Sequence, residues 1–398
     1  MKNNTITAPK GFFADGVACG IKAGGKLDLG LLVAERICTA AAVFTTNRFC
    51  GSPIVVGREH LRNGKLRAIV VNSGCSNVAT GKRGVNDAKK TCTWVAKPLS
   101  AKPTEILPSS TGVIGRFLPM PAIERGIYAA FTSASSSADA GQRFAKAIMT
   151  TDTRPKEACE RIKIGKESIT VAGCCKGSGM IAPNMATMLA FLTTDAGLPS
   201  KELQAMLGKA ADATFNRVTV DECQSTSDTA AILASGMAAT LSSSAHKTKF
   251  ADALIAVCKA LAYKLAEDGE GATRVIEVVV NSAKTPADAH AAARAIAVSP
   301  LVKTAVHGGD PNWGRIVQAI GATSVAYKPD NVVVAIDKTV LFRKGAPVAK
   351  IDLKKVSKLM QQKRVLIRID LGAGKSSDAV LTCDFSREYI AINADYTT

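Results

Sequence analysis

Aromatic residues are scarce in this sequence, 5% of 398 residues, with two tryptophans. Stacking platforms for bases are therefore few, and no helix-turn-helix, zinc-finger or RNA-recognition signature is present. The four histidines, His60, His246, His290 and His307, stand apart. Eleven cysteines are scattered without a C-x-x-C pair, and Cys174-Cys175 are adjacent. That pattern suits neither a zinc site nor an easy disulfide, so reduced structural thiols and no metal are expected. No apolar run approaches the roughly 20 residues that span a membrane. The first 20 residues lack the basic and apolar regions of a secretory signal. These absences lead to the expectation of a soluble cytoplasmic protein without nucleic-acid or membrane partners. What is abundant is positive charge, a formal +18, in a chain 47% hydrophobic and 21% charged. Such a composition supports one large core or two domains. The charge fits either phosphate binding or the attraction of a small anionic substrate, and the dispersal of the lysines favours the second.

The chain is organised around KGSGMIAPNMATMLAFLTTDA, Lys176 to Ala196. A β-branched run, Ser168 to Val171, precedes it and reads as a strand; Met188 to Leu192 is long enough for a buried strand and too short for a helix. Between them lies Ala186-Thr187. Threonine becomes a nucleophile when a base adjoins it, and its own α-amine serves once the chain is cut just before it. Such an amine has a pKa of roughly 7.7–8.0 and can be neutral near pH 7. On the dipeptide alone, an ordinary turn entering a strand remains open. Gly177-Ser178-Gly179-Met180-Ile181-Ala182 fits G-x-G-x-x-A, with Asp195 near the distance expected of a ribose ligand. That motif needs a helix to begin there, and Pro183-Asn184 interrupts one. The dinucleotide reading is rejected.

Elsewhere, periodicity and capping signals predict helices over Gly81–Ala96, Met120–Ser135, Ala138–Met149, Lys201–Ala213, Phe250–Ala266 and about Leu353–Gln362. Another starts at Thr285-Pro286 and runs to about Val298. Strands are predicted in LDLGLLVAE and CTAAAVFTTN, at Ala68–Val71, Ile106–Gly115, Ile276–Val280, Asn331–Ile336, Val340–Phe342, Val365–Leu371 and Ala379–Asp384. Gly308 to Ile316 reads as a structured loop before a helix. Glu267-Asp268-Gly269-Glu270-Gly271 pairs carboxylates with glycines but lacks a nearby histidine, which weakens a metal reading.

The Lys176–Ala196 stretch resembles the processing-site signature of the glutamate N-acetyltransferase family, also called ornithine acetyltransferase. Further similar blocks are Phe44-Thr45-Thr46-Asn47, Phe215 to Asp221 with Ser225 to Thr229, and Gly308 to Ile316. The sequence departs from the family pattern at Cys75 and Ser76, at Glu222-Cys223 (usually Gly-Asp) and at Ser227 (usually Asn). The resemblance covers essentially the whole chain. It implies an α/β (α+β) fold with layered sheets flanked by helices, similar to self-processing N-terminal-nucleophile proteins. It implies self-cleavage between Ala186 and Thr187 into an α chain, 1–186, and a β chain, 187–398. Thr187 is then the nucleophile of a ping-pong transfer from N-acetylornithine to glutamate, with Thr111 and Gly112 as the oxyanion hole. The implied substrate contacts are Thr153, Lys176, Thr187, Glu270, Asn393 and Thr398. No metal or bound cofactor is implied, and an α2β2 assembly is. Acetyl-CoA is left open as a second donor. Three alternatives stay open: a related self-processing aminopeptidase, an unprocessed binding protein and a nucleic-acid binder.

Overall fold

A computed structural model describes residues 3–182 and 188–395. The described residues form two compact units, one running up to Asn216 and over Gln224–Leu265, the other over Arg217–Cys223 and from Ala266 onward. This division is one of compactness; the expected 1–186/187–398 division is one of the covalent chain.

The first unit contains β1 (Phe12–Val17), β2 (Leu29–Phe44), α1 (Ser52–His60), β3 (Lys65–Cys75), α2 (Gly81–Ala96), β4 (Ile106–Val113), α3 (Met120–Ser133) and α4 (Ala138–Ala147). It continues with β5 (Lys156–Ile164), β6 (Glu167–Lys176), β7 (Leu189–Thr194), α5 (Ser200–Ala213), β8 (Thr229–Ala234) and α6 (Ser244–Glu267). Its sheet runs β4-β3-β2-β8-β7-β6-β5, with β1 added on β2. The two predicted strands at 27–47 are one 16-residue strand. Its first part pairs with β1 and its second with β8, while β3 pairs with both across a register shift between Val33 and Cys38. Alternation along β2 fills two layers. Leu29, Leu31 and Val33 pack with α2 and α3 residues such as Val95 and Ile127, while Leu32 and Ala34 join Phe144 of α4 and Phe191 of β7. Phe144 and Phe191 meet edge to face at 5.9 Å.

The second unit holds β9 (Val275–Ala283), α7 (Pro286–Val298), α8 (Pro300–Gly308), α9 (Trp313–Gly321), β10 (Val333–Ile336), β11 (Thr339–Arg343) and β12 (Ala346–Pro347), then α10 (Leu353–Met360), β13 (Arg364–Asp370), β14 (Ser376–Cys383) and α11 (Arg387–Asp395). The sheet order is β12-β11-β10-β13-β9-β14, with only β13 and β9 parallel among these pairs. One hydrophobic cluster binds the inward residues Val365, Ile367 and Ile369 of β13 to α7, α8, α9 and α10. The predicted cap of α7 is present: Thr285 Oγ1 accepts from Asp288 N at 3.1 Å.

The mixed α/β, layered-sheet expectation is met. Elements absent from the sequence reading are α1, α8, α11, β1, β5, β8 and β12. β8 reads TAAILA, fully buried and alanine-rich, so it shows no alternation. β5 is an edge strand carrying Glu157, Glu160, Arg161 and Lys163. α11 occupies what reads in sequence as a tail, and the last three residues, Thr398 included, lie outside the described residues. From Gly177 to Ala182 no helix forms, and β7 follows, in keeping with rejection of the dinucleotide motif. Asp195 instead accepts backbone N–H groups of Thr170 at 2.8 Å and Lys10 at 3.2 Å. Deleting the ring that joins the β7 and α4 layers is the sharpest test of this core. Phe191→Ala is expected to cost about 3–5 kcal/mol in denaturant unfolding; a loss below about 1 kcal/mol would contradict the packing described.

Candidate active-site residues

Two expected groups fall in the first unit. Thr111 and Gly112 lie near the end of β4, paired in parallel with Ser73 and Gly74 of β3. Gly112 has φ +123°, and an added Cβ would come within 2.4 Å of the Gly74 carbonyl carbon. Glycine is therefore required by both conformation and space. The rest of this strand end is fixed by hydrogen bonds. Ser110 Oγ donates to Asn72 Oδ1 at 2.6 Å, and Asn72 Nδ2 donates to the Cys75 carbonyl at 2.7 Å. Thr111 is buried, and among the described residues nothing hydrogen-bonds to its hydroxyl. The departures at 75 and 76 serve the same architecture: Ser76 Oγ donates to the Val113 carbonyl at 2.9 Å, and Cys75 Sγ to that of Arg116 at 3.3 Å.

The second group surrounds the start of β7. Lys176, the last residue of β6, is opposite Leu189 of β7, and Leu189 is opposite Thr229 of β8. Thr229 N donates to the Met188 carbonyl at 3.0 Å. Thr153 is exposed on the turn after α4. Asp152 joins this turn to β6. Its Oδ1 accepts from Gly177 N and from Lys156 Nζ, each at 2.6 Å, and its Oδ2 accepts from Thr150 N at 2.9 Å. The Asp152–Lys156 side chains are fully buried. Burial pushes the Asp152 carboxyl up, but the ammonium groups of Lys156 and Lys176 and the Gly177 N–H outweigh it, and the net shift is downward. The structure thus brings Thr153 and Lys176 to one buried carboxylate. Ser73 Oγ, beside the Thr111–Gly112 end, donates to the Ala147 carbonyl at 2.5 Å, linking that end to the approach to the same turn. Ala186 and Thr187 lie outside the described residues.

Sequence reasoning missed Asp152, Lys156 and Asp228. Asp228 sits immediately before β8, fully buried, with Oδ2 unpartnered among the described residues. Burial pushes its carboxyl well up, against a hydrogen bond from Ser225 and the charge of Lys176.

The second unit holds Glu270 and Asn393. Asn393 Nδ2 donates to Glu270 Oε2 at 2.8 Å and to the Tyr389 carbonyl at 2.9 Å, so these two expected contacts are brought together. Glu270 is buried and Asn393, on α11, is exposed. Gly271 has φ +68°, and a Cβ there would meet Tyr389 N at 2.4 Å, which holds the 269–271 turn against α11. At the departure Glu222, φ is +60°, a region glycine favours; the residue keeps it with its N–H on Thr219 Oγ1 at 3.3 Å. Thr398 lies outside the described residues.

Removing one partner of the buried pair leaves an uncompensated charge. Lys156→Met is expected to cost about 3–5 kcal/mol near neutral pH. Because the Asp152 pKa is depressed, its stabilisation is present above the unfolded carboxylate value, near 3.9, and is lost as pH falls through the folded value. The gap between wild type and variant should therefore narrow in acid, read from denaturant melts at a series of pH values; a constant gap would contradict the pairing.

A family profile described as the ArgJ family matches residues 13–398. The arginine biosynthesis bifunctional protein ArgJ of Dehalococcoides mccartyi is 43% identical over 403 aligned positions, covering 100% of this chain and 98% of its own length. The glutamate N-acetyltransferase of Methanocaldococcus jannaschii is 42% identical over 406 positions, covering 99% of this chain and 98% of its own. The crystal structure of the arginine biosynthesis bifunctional protein argJ from Bacillus halodurans aligns at 39% identity with a TM-score of 0.45, over 47% of this chain and 96% of that one. With the profile spanning all but the first dozen residues, this chain belongs to the ArgJ family.

Proposed function

We propose that this chain is an acetyltransferase of arginine biosynthesis that moves the acetyl group of N-acetylornithine to glutamate, giving ornithine and N-acetylglutamate. The observation that carries the reading is the family match over residues 13–398. Supporting it, the Thr111 hydroxyl is unengaged among the described residues and Gly112 admits no side chain.

The chemistry starts with the chain itself. The Thr187 hydroxyl attacks the Ala186 carbonyl, the C–N bond breaks, and the nitrogen leaves as an amine after taking a proton. Water hydrolyses the resulting ester, freeing the Ala186 carboxylate and the Thr187 α-amine. That amine then accepts the hydroxyl proton while the oxygen attacks the acetyl carbonyl of N-acetylornithine. Negative charge develops on the carbonyl oxygen, where the Thr111 hydroxyl and Gly112 N–H act; losing one such donor typically costs on the order of 10²–10³ in rate. Ornithine leaves with the proton returned to its α-nitrogen. The amine of glutamate attacks the acetyl ester, and Thr187 is regenerated. Thr153, Lys176, Glu270, Asn393 and Thr398 contact substrate in this reading, with Lys176 on the α-carboxylate and Glu270 on an ammonium group. The base is a backbone amine, so the mechanism calls for no metal or bound cofactor. The working form is an α2β2 assembly in the cytoplasm. Acetyl-CoA, offered in place of N-acetylornithine, decides by acetylation of Thr187 whether a second donor is used.

Intact mass under denaturing conditions tests the scheme on wild type, Thr187→Ala and Gly112→Ala. Wild type should divide at Ala186/Thr187, and incubation with N-acetylornithine should add one acetyl group to the 187–398 fragment. Thr187→Ala should remain one full-length chain. Gly112→Ala, with a Cβ forced onto Gly74, should lose at least about 10²-fold in transfer rate. A folded wild-type chain that stays uncut sinks the mechanism.

A further inference from the structure

Lys22 is a cation to which the scheme above gives no task. It lies midway along the connection between β1 and β2, and this connection is held by one carboxylate. Asp28 is fully buried and accepts backbone N–H groups from Cys19 at 2.7 Å, Gly20 at 3.1 Å, Ile21 at 2.7 Å and Lys22 at 2.9 Å. The Lys22 stem then lies against Gly74, whose added Cβ would be 3.1 Å from Lys22 Cγ. Gly74 is the register partner of Gly112. Beyond it, Lys22 Nζ donates to the Leu27 carbonyl at 3.0 Å and to the Met149 carbonyl at 2.6 Å. The ammonium therefore sits between the strand end carrying Thr111–Gly112 and the turn carrying Thr150–Thr153. An ammonium has three donors. Two are used, and among the described residues the third has no partner and the group forms no ion pair.

The neighbouring carboxylates are already committed. Asp28 is occupied by backbone N–H groups, and Asp152 by Lys156, Gly177 and Thr150. Neither carboxylate therefore takes a hydrogen bond from the Lys22 ammonium, whose two bonds both go to backbone carbonyls. N-acetylornithine carries one carboxylate and a side-chain ammonium; glutamate carries two carboxylates. A lysine on the shared α-carboxylate cannot tell them apart.

We propose that Lys22 is a specificity-determining residue for the acetyl acceptor, its free N–H binding the side-chain carboxylate of glutamate. This rests on the acetyl-transfer reading above. The electrostatics support it. Burial pushes the Lys22 ammonium down to about 8, with Lys26 and Lys176 adding to the effect and Asp28 and Asp152 opposing it. A proton held that loosely is retained against a carboxylate and shed cheaply beside an ammonium. One side chain can then receive the acceptor without obstructing the donor.

The test uses the full-length protein as wild type, Lys22→Met and Lys22→Arg. With both substrates varied, Lys22→Met should raise the KM for glutamate about 10- to 100-fold, the range for a lost charge-assisted hydrogen bond, while the KM for N-acetylornithine moves less than about threefold. The effect should fall on KM rather than kcat. Lys22→Arg should restore most of the loss. Glutarate, a dicarboxylate without an amine, should inhibit wild type about tenfold more strongly than Lys22→Met, whereas butyrate should not discriminate. In wild type alone, glutarate inhibition should weaken as pH rises past about 8. Equal KM increases for both substrates, or glutarate inhibition unchanged by mutation or by pH, would overturn the assignment; the pH arm stands even if Lys22→Met fails to fold. A wild type that transfers no acetyl group would overturn the underlying function with it, whereas a competent wild type with an unaltered Lys22→Met overturns Lys22 alone.

Discussion

The carboxylate of Asp152 is the point on which the first unit's candidate residues depend. It is buried, yet charged, because an ammonium and two backbone N–H groups replace the water it has lost. Each partner comes from a different piece of chain: Thr150 from the turn after α4, Lys156 from the start of β5, Gly177 from the end of β6. A carboxylate this constrained fixes the backbone next to Thr153 and Lys176. Buried ion pairs seldom add net stability over an apolar substitute. Their value here is positional, since an apolar cluster would hold these three segments close without fixing their orientation.

Charge balance follows from the same arrangement. Asp28 and Asp152 are satisfied inside the protein, and neither accepts a hydrogen bond from the Lys22 ammonium. Part of the +18 formal charge thereby acquires a local meaning, as a field that concentrates small carboxylates near the ends of β3, β4 and β6. Asp228, buried immediately before β8, is pushed well up by burial against the charge of Lys176.

Much of this was legible in the sequence where local and global preferences agree. α2 at Gly81–Ala96 and the Thr285 cap of α7 were read directly, because amphipathic period and capping chemistry are local. At Gly112, singled out through resemblance as an oxyanion donor, the structure shows that the Gly74 backbone leaves no room for a side chain. β8 and β5 were not, since a fully buried alanine-rich strand and a charged edge strand both lack alternation. Lys22, Asp28, Asp152 and Lys156 illustrate the harder limit. Each is an ordinary surface-type residue in the string, and its role exists only once the turns around it have folded, with Lys22 reaching as far as Met149.

The sheet also bears on what a break at Ala186/Thr187 would do. β6 and β7, on either side of it in sequence, are neighbours in space, with Val171 to Lys176 paired to Leu189 to Thr194. β7 is bonded on its other edge to β8, residue for residue from Leu189 to Thr194. Cutting the connection would therefore remove a covalent link without unpairing a strand. β6 would remain with the first fragment, β7 and β8 with the second, and the fragments would share one continuous sheet and the core beneath it. Burial of Leu189, Phe191 and Leu192 opposes withdrawal of β7, since pulling it out would expose all three together with two ladders of backbone hydrogen bonds. The architecture thus tolerates a new chain end at the place where a threonine amine would be chemically useful, and holds the strand that follows it by packing rather than by the chain.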